Sequence, residues 1–387
     1  MNYVERALTS SLLRAAAAFP ALVLTGPRRS GKTTLLQHCF PGADYLLLEA
    51  PDVLARVRSD PRSVLAELGR PAILDEIQNA PELLGYLRAE IDGMPEIRGQ
   101  WLLTGSQEAQ LMRGVTESMA GRAAVFQLLP FAHAEDARVS LLGGGFPEVI
   151  AAPDARDLWY RSYIQTYLER DVRSVLAVRD LATFGRFLAL LATRQGQLLN
   201  KTALAAPLGL SVPTLSEWLG VLEVTAQILL VPPFYENFGK RITKAPKLYF
   251  ADSGLAAHLL GIESEAALGR SPFLGPLFEG LVATEIVKRQ IHAGKARAIY
   301  HFRDRQGLEV DFLVPLGEQR LALVEAKATR TPGPELAKSL RQLQGSIGED
   351  RATAWLVHER GETPLAASGL GGGARALAWT ELASALS

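Results

Sequence analysis

Eight consecutive residues, Gly26-Pro27-Arg28-Arg29-Ser30-Gly31-Lys32-Thr33, have the types and spacing to hold a phosphate group. The order is glycine, four residues, glycine, lysine and a hydroxyl residue. Gly26 and Gly31 let the backbone curl so that its N–H groups face phosphate oxygens. A helix that starts beside them offers the same anion its positive N-terminus. Lys32 is expected to neutralise the β- and γ-phosphates, and the Thr33 hydroxyl to ligate Mg²⁺. Thr34 completes the set expected to bind ATP. An apolar run, Ala21–Thr25, precedes the loop and a helical run, Thr34–Cys39, follows it. A chance glycine-bearing turn does not supply that context.

A second segment, Ala72-Ile73-Leu74-Asp75-Glu76, is an apolar run that ends in two acids. Asp75 is expected to hold Mg²⁺, and Glu76 to polarise the attacking water. The same acids could instead cap the next helix. A third run, Trp101-Leu102-Leu103-Thr104-Gly105-Ser106, ends in polar residues. Its strand is expected between the other two, with Thr104, or else Ser106, reaching the γ-phosphate or the lytic water. An ordinary strand exit would look similar. Arg122 precedes the last apolar run of this region. It could stabilise charge on a transferred phosphoryl group of a neighbouring subunit, or be a plain surface arginine.

These side chains need a scaffold. The candidate strands are Ala21–Thr25, Tyr45–Glu49, Ala72–Asp75, Trp101–Thr104 and Ala123–Leu129, separated by helical patterns. Short apolar runs alternating with helices predict a parallel sheet with crossover helices. The middle of the chain is mainly helical, with long helical patterns around Leu158–Val178 and Leu181–Thr193. The last third reads helix (Leu274–His292), strand (Arg297–Phe302), strand (Leu308–Pro315), strand (Arg320–Ala328), helix (Pro334–Ile347) and strand (Thr353–His358). Gly369–Gly373 looks like a flexible linker to one more short element.

The 387 residues suffice for two or three domains, and 48% hydrophobic content gives each a core. Formal net charge is +0, so any basic surface must be local. One cysteine, Cys39, excludes an intramolecular disulfide and fits a reducing compartment. The six histidines show no metal-ligand spacing, which argues against zinc. No run approaches the ~20 apolar residues of a membrane span. Arg14 interrupts the apolar stretch before the loop, so a signal peptide is rejected. These absences point to the cytoplasm and to no membrane partner.

The motifs together resemble the AAA-type (AAA+) P-loop ATPases of a widespread prokaryotic family. Its members join an N-terminal ATPase to a C-terminal domain of unknown function. The likeness runs through Gly26–Leu35, Leu74–Gln78, Leu102–Ser106, Ala120–Arg122, Gly144–Glu148, Tyr167–Val172, Lys240–Leu255 and Val310–Lys327. The resemblance implies that Arg122 acts on a neighbour's ATP, and hence a homo-oligomer or ring.

In the middle region, Lys201–Leu208, Gly209-Leu210-Ser211 and Val212–Leu222 have helix–turn–helix spacing. The strands that follow, Ile228–Val231 and Lys247–Phe250, would form a wing. Lys240, Arg241, Lys244 and Lys247 make a candidate patch for DNA phosphates. The second helix carries Glu217 and Glu223 and no Lys or Arg, so base reading through it is doubtful.

The element order of the last third resembles the core of the PD-(D/E)xK nuclease superfamily. Asp311 matches the acid of the second strand. Glu325 and Lys327, two apart, share one face of the next. Glu279 on the first helix is the fourth member. The resemblance implies a possible second Mg²⁺ on Asp311 and Glu325, with Lys327 orienting a water. An inter-strand ion pair, or a nuclease fold without activity, would use the same residues.

The expected fold class is therefore α/β. It comprises a P-loop NTPase (AAA+) parallel-sheet core at 1–130, a helical and winged-helix domain at 131–262, and an α/β restriction-endonuclease-like domain at 271–387. The expected function is ATP hydrolysis coupled to remodelling of, or translocation on, DNA. The alternatives are an ATP-controlled switch without nucleic acid and an ATP-gated, Mg²⁺-dependent nuclease.

Overall fold

A computed structural model describes residues 3–105, 118–168, 181–234, 245–359 and 370–386. The chain forms two compact units. The first is Met1–Phe131 with Val224–Ala226 and Ile291–Lys295; the second holds the remainder.

The first unit is built on β1 (Ala21–Thr25), β2 (Asp44–Leu47), β3 (Ala72–Asp75), β4 (Trp101–Gly105) and β5 (Ala123–Gln127). All pair in parallel, in the order β2-β3-β4-β1-β5. The strand ending in Thr104 thus lies between the loop strand and the acid strand. Every residue of β1 is buried, as a central strand covered on both faces must be. Alternation sends Ala21 and Val23 into one core, with Leu74, Trp101 and Leu103. Leu22 and Leu24 enter the other, with Leu35, Leu36, Ile73 and Leu102. Each fully buried leucine or valine contributes about 2 kcal/mol. That anchoring holds the loop at the carboxyl end of β1, where ligands bind in open parallel sheets. Four boundaries of this sheet differ from those expected: β2 begins one residue earlier and ends two earlier, β4 runs on to Gly105, and β5 ends at Gln127, after which the chain leaves the sheet.

The second unit carries a mixed sheet of β8 (Tyr300–Arg303), β9 (Glu309–Gly317), β10 (Arg320–Lys327), β11 (Ala352–His358) and β12 (Ala374–Ala378), in the order β12-β11-β10-β9-β8. The β8–β9 and β9–β10 pairs are antiparallel, whereas the β10–β11 and β11–β12 pairs are parallel. The last short element is thus a sheet strand rather than an appendage. Gly371, Gly372 and Gly373 turn the chain into it at positive φ, and Gly369 lies outside the described residues. The unit also contains the helix Lys201–Ala205 and, as far as Glu223, the helix Val212–Val224, separated by Gly209 in the left-handed region. The antiparallel pair β6 (Ile228–Val231) and β7 (Lys247–Phe250) follows. Of the apolar stripe Leu204, Leu208, Leu215, Leu219 and Leu222, which helical spacing sets on one side, four are buried and Leu208 packs against them only partly buried. The helix expected from Leu158 starts at Arg156 and passes at Ile164 into a π-helical turn. Its later part lies outside the described residues. Among the described residues, no helix is long and apolar enough to cross a membrane.

Candidate functional site

The loop's backbone needs its glycines. Gly26 has φ +140°, and a Cβ there would stand 2.1 Å from the Leu128 carbonyl oxygen. Gly31, at φ +92°, caps the helix Lys32–Cys39. The Lys32 ammonium donates to the carbonyls of Gly26 and Pro27, both at 3.0 Å. It is therefore folded over the hollow of the loop. The Ser30 hydroxyl is buried with no hydrogen-bond partner, an orphan of the kind that a bound ligand satisfies. Arg28 lies 3.8 Å from Glu49. Arg29 and Thr34 are exposed, and Pro27 is buried.

Strand register brings the acid segment to the loop. The Thr33 hydroxyl donates to both oxygens of Asp75, at 2.9 and 3.0 Å. Asp75 also accepts from the Thr104 hydroxyl, and from Tyr45 Oη at 2.7 Å. It is 5% exposed; three hydroxyl donors offset the cost of burying its carboxylate. Burial, followed by the hydrogen bond to Asp75, raises the pKa of Tyr45. Glu76 sits in the left-handed region at φ +59°, a conformation that costs a non-glycine residue roughly 1–2 kcal/mol. Its N–H donates to Thr104 Oγ1 at 3.0 Å, and its carboxylate accepts from Gln78. Thr104 thus touches both acids. Ser106 lies outside the described residues.

Two participants were missed in the sequence. Tyr45 read only as a strand residue, although an edge-strand tyrosine facing an acid strand was a usable hint. Arg6 lies far from any motif. Its guanidinium donates to Ser30 O at 2.9 Å and Leu129 O at 2.6 Å, over the Phe131 ring. It braces the loop from behind. Such contacts span 24 and 123 residues, beyond the reach of local pattern.

Arg122 is not part of its own chain's phosphate site. It lies just before β5, at the amino end of the parallel strands and so at the end away from the loop, and pairs with both oxygens of Asp92 at 2.6 and 2.9 Å. That pairing raises its pKa.

Glu279, Asp311, Glu325 and Lys327 do come close together, but with an unexpected cation. Lys247 Nζ stands 2.9 Å from Glu279 Oε1, 2.9 Å from Glu309 Oε1 and 3.1 Å from Asp311 Oδ1. Asp311 Oδ2 accepts the Ala326 N–H at 3.1 Å, so both its oxygens are engaged. Lys327 pairs with Glu325 at 2.8 Å. Tyr249 donates to Glu279 at 2.6 Å. Burial, then the Asp311 charge, pushes Glu279 up to about 8 and Glu325 up to about 7. Burial alone would lower the pKa of Lys247; Asp311, Glu279 and Glu309 outweigh it and raise it.

Two expectations need correction. Lys247 cannot touch a DNA phosphate from this position, because it is 3% exposed and aimed into carboxylates. Lys240, Arg241 and Lys244 lie outside the described residues. The second Mg²⁺ expected on Asp311 and Glu325 does not fit either. Each carboxylate already faces an ammonium, and no cluster of three or more His, Cys, Asp or Glu among the described residues is arranged to hold a metal.

Comparison with known proteins adds family context. Residues 18–136 match a family model described as an AAA domain. Residues 134–266 and 274–369 match models each described as a domain of unknown function. Uncharacterized proteins of Mycobacterium bovis and Mycobacterium tuberculosis are each 31% identical over 344 residues, spanning 87% of this chain and 76% of theirs. Among solved structures, the Walker-type ATPase of Pyrococcus abyssi overlays with a TM-score of 0.46 at 16% identity, covering 65% of this chain and 94% of that one. The RuvB Holliday junction branch migration motor of Thermotoga maritima gives 0.32 at 18% identity, covering 58% and 89%. TM-scores this low carry no argument about this chain.

Proposed function

The chain belongs to the family of the two mycobacterial proteins, and from its AAA domain we propose that it binds and hydrolyses ATP. The observation that carries this reading is the contact between Thr33 and Asp75 beside the glycine-framed loop. A hydroxyl at the start of a helix and a buried carboxylate at a strand end are the two groups that hold Mg²⁺ in P-loop enzymes. Gly26 fits the same purpose, since backbone has to pass where a side chain would collide.

Bound with the nucleotide, Mg²⁺ would supply positive charge to the phosphate oxygens. The remaining work falls to the chain. Lys32 exchanges the carbonyls of Gly26 and Pro27 for phosphate oxygens. Ser30 and the loop N–H groups hold the anion in place. Asp75 keeps Thr33 oriented, and Tyr45 and Thr104 keep Asp75 oriented. Glu76 accepts a proton from the attacking water. Its strained backbone and its link to Thr104 fix where that carboxylate points. Arg122 is available to a neighbouring copy, in keeping with its position away from its own loop.

Work on DNA is the second reading. It is supported by the two short helices around Gly209 and the antiparallel β6–β7 pair that follows them in sequence, which we read as a winged helix. Its phosphate contacts would come from Lys240, Arg241 and Lys244. ATP hydrolysis measured with and without duplex, single-stranded and branched DNA separates the readings. Stimulation by one of them supports a DNA motor. Equal rates with all of them favour a switch that acts on partner proteins.

A further inference from the structure

We infer that the acidic cluster of Glu279, Glu309 and Asp311 is an internal-cation site, in which the Lys247 ammonium takes the place of a divalent metal and keeps Mg²⁺ and Mn²⁺ out. The three carboxylates come from two elements, the helix Leu274–His292 and strand β9. They converge on one nitrogen at 2.9, 2.9 and 3.1 Å. An ammonium donates three hydrogen bonds, and three carboxylate oxygens receive them. A divalent ion needs oxygens closer in, at about 2.0–2.6 Å, and more of them. With the lysine seated there is neither the space nor a free set of oxygens.

The burial pattern supports exclusion rather than a transient contact. Lys247 is 3% exposed and Asp311 7%. Removing one partner of such a cluster leaves uncompensated buried charge, which is strongly disfavoured. A further carboxylate oxygen, Glu325 Oε2, is buried without a partner beside the cluster. It would be the natural additional ligand once the lysine is gone. Lys247 therefore does for this sheet what a metal does in metal-dependent carboxylate sites: it neutralises facing acids and ties β7 to β9. On this account the resident cation makes the C-terminal sheet a metal-free element.

The test is Mn²⁺ binding to the full chain without nucleotide, followed by electron paramagnetic resonance. The wild type should show no bound Mn²⁺ that Asp311→Asn removes. Lys247→Met, which keeps the stem and loses the charge, should gain one Mn²⁺ site at least about tenfold tighter than any in the wild type. Adding Asp311→Asn to that variant should abolish it, and Lys247→Arg should remain free of Mn²⁺. An Asp311-dependent Mn²⁺ site in the wild type overturns the inference. So does a folded Lys247→Met chain that gains none. If Lys247→Met does not fold, the wild-type comparison with Asp311→Asn still decides: no difference in Mn²⁺ binding supports exclusion, and a lost site refutes it. None of these outcomes depends on ATP hydrolysis.

Discussion

Thr33 Oγ1 donates to both carboxylate oxygens of Asp75, at 2.9 and 3.0 Å, and so joins the phosphate loop to strand β3 across 42 residues of sequence. If that pair holds Mg²⁺, removing either partner should impair turnover more than nucleotide affinity. Asp75→Asn is expected to lower kcat by roughly 100-fold, about 2.7 kcal/mol of transition-state stabilisation. A stopped assay of phosphate release, with ATP affinity measured in parallel, checks this. Unchanged kcat would remove Asp75 from the metal role.

Gly26 should be intolerant of any side chain. A Cβ at 2.1 Å from the Leu128 carbonyl oxygen, on a backbone at φ +140°, forces the loop away from Leu128. Gly26→Ala is expected to cost about 2 kcal/mol or more, the combined price of strain and clash. A lower urea midpoint with unchanged slope would show it. A midpoint equal to the wild type would mean the loop has room that its geometry denies.

Glu76→Gln separates binding from chemistry. The amide keeps the shape but cannot take a proton, so hydrolysis should fall by about 100-fold or more. ATP affinity should stay within about twofold of the wild type. Full turnover in this variant assigns the base elsewhere.

Glu325 gives the pH prediction. Its folded pKa is raised from 4.5 to about 7, chiefly by burial and then by Asp311. Between those values the folded chain holds a proton that the unfolded chain has released. Stability must therefore fall as pH rises from about 4.5 to 7. This is the reverse of an ion-paired carboxylate whose pKa is depressed. Thermal melts across that range should show a flatter profile for Glu325→Gln than for the wild type. Parallel profiles would contradict the raised value.

Arg122→Ala should leave ATP affinity and thermal stability unchanged, because its partner Asp92 is an exposed surface acid. Hydrolysis should drop only where copies associate. The check is specific activity against protein concentration: the wild type should rise with concentration and the variant stay low.

The first unit was legible because its chemistry is local in sequence. A glycine loop needs only eight neighbouring residues, and each strand ends on the residue it presents. Trp101–Thr104 fell between the loop strand and the acid strand because all three are apolar runs of one parallel sheet. Tyr45 and Arg6 escaped because their partners are contributed by tertiary packing. Lys247 escaped for a related reason. Among Lys240, Arg241 and Lys244 it looks like one more surface cation, yet it opens β7 with an inward-facing side chain. Period-2 alternation fixes that two faces exist, and does not say which one meets an acidic wall. The acids of β9 and β10 were marked by the nuclease-family resemblance, while the cation that answers them came from a different part of the chain.

The most direct test of the central claim is the rate of phosphate release from ATP by the purified full chain with Mg²⁺, compared with Lys32→Ala. Steady turnover is expected of the wild type. The variant should lose at least about 100-fold in rate, with ATP binding lost and the circular dichroism spectrum retained. Equal rates in the two proteins, or a wild type that does not bind ATP, would contradict it.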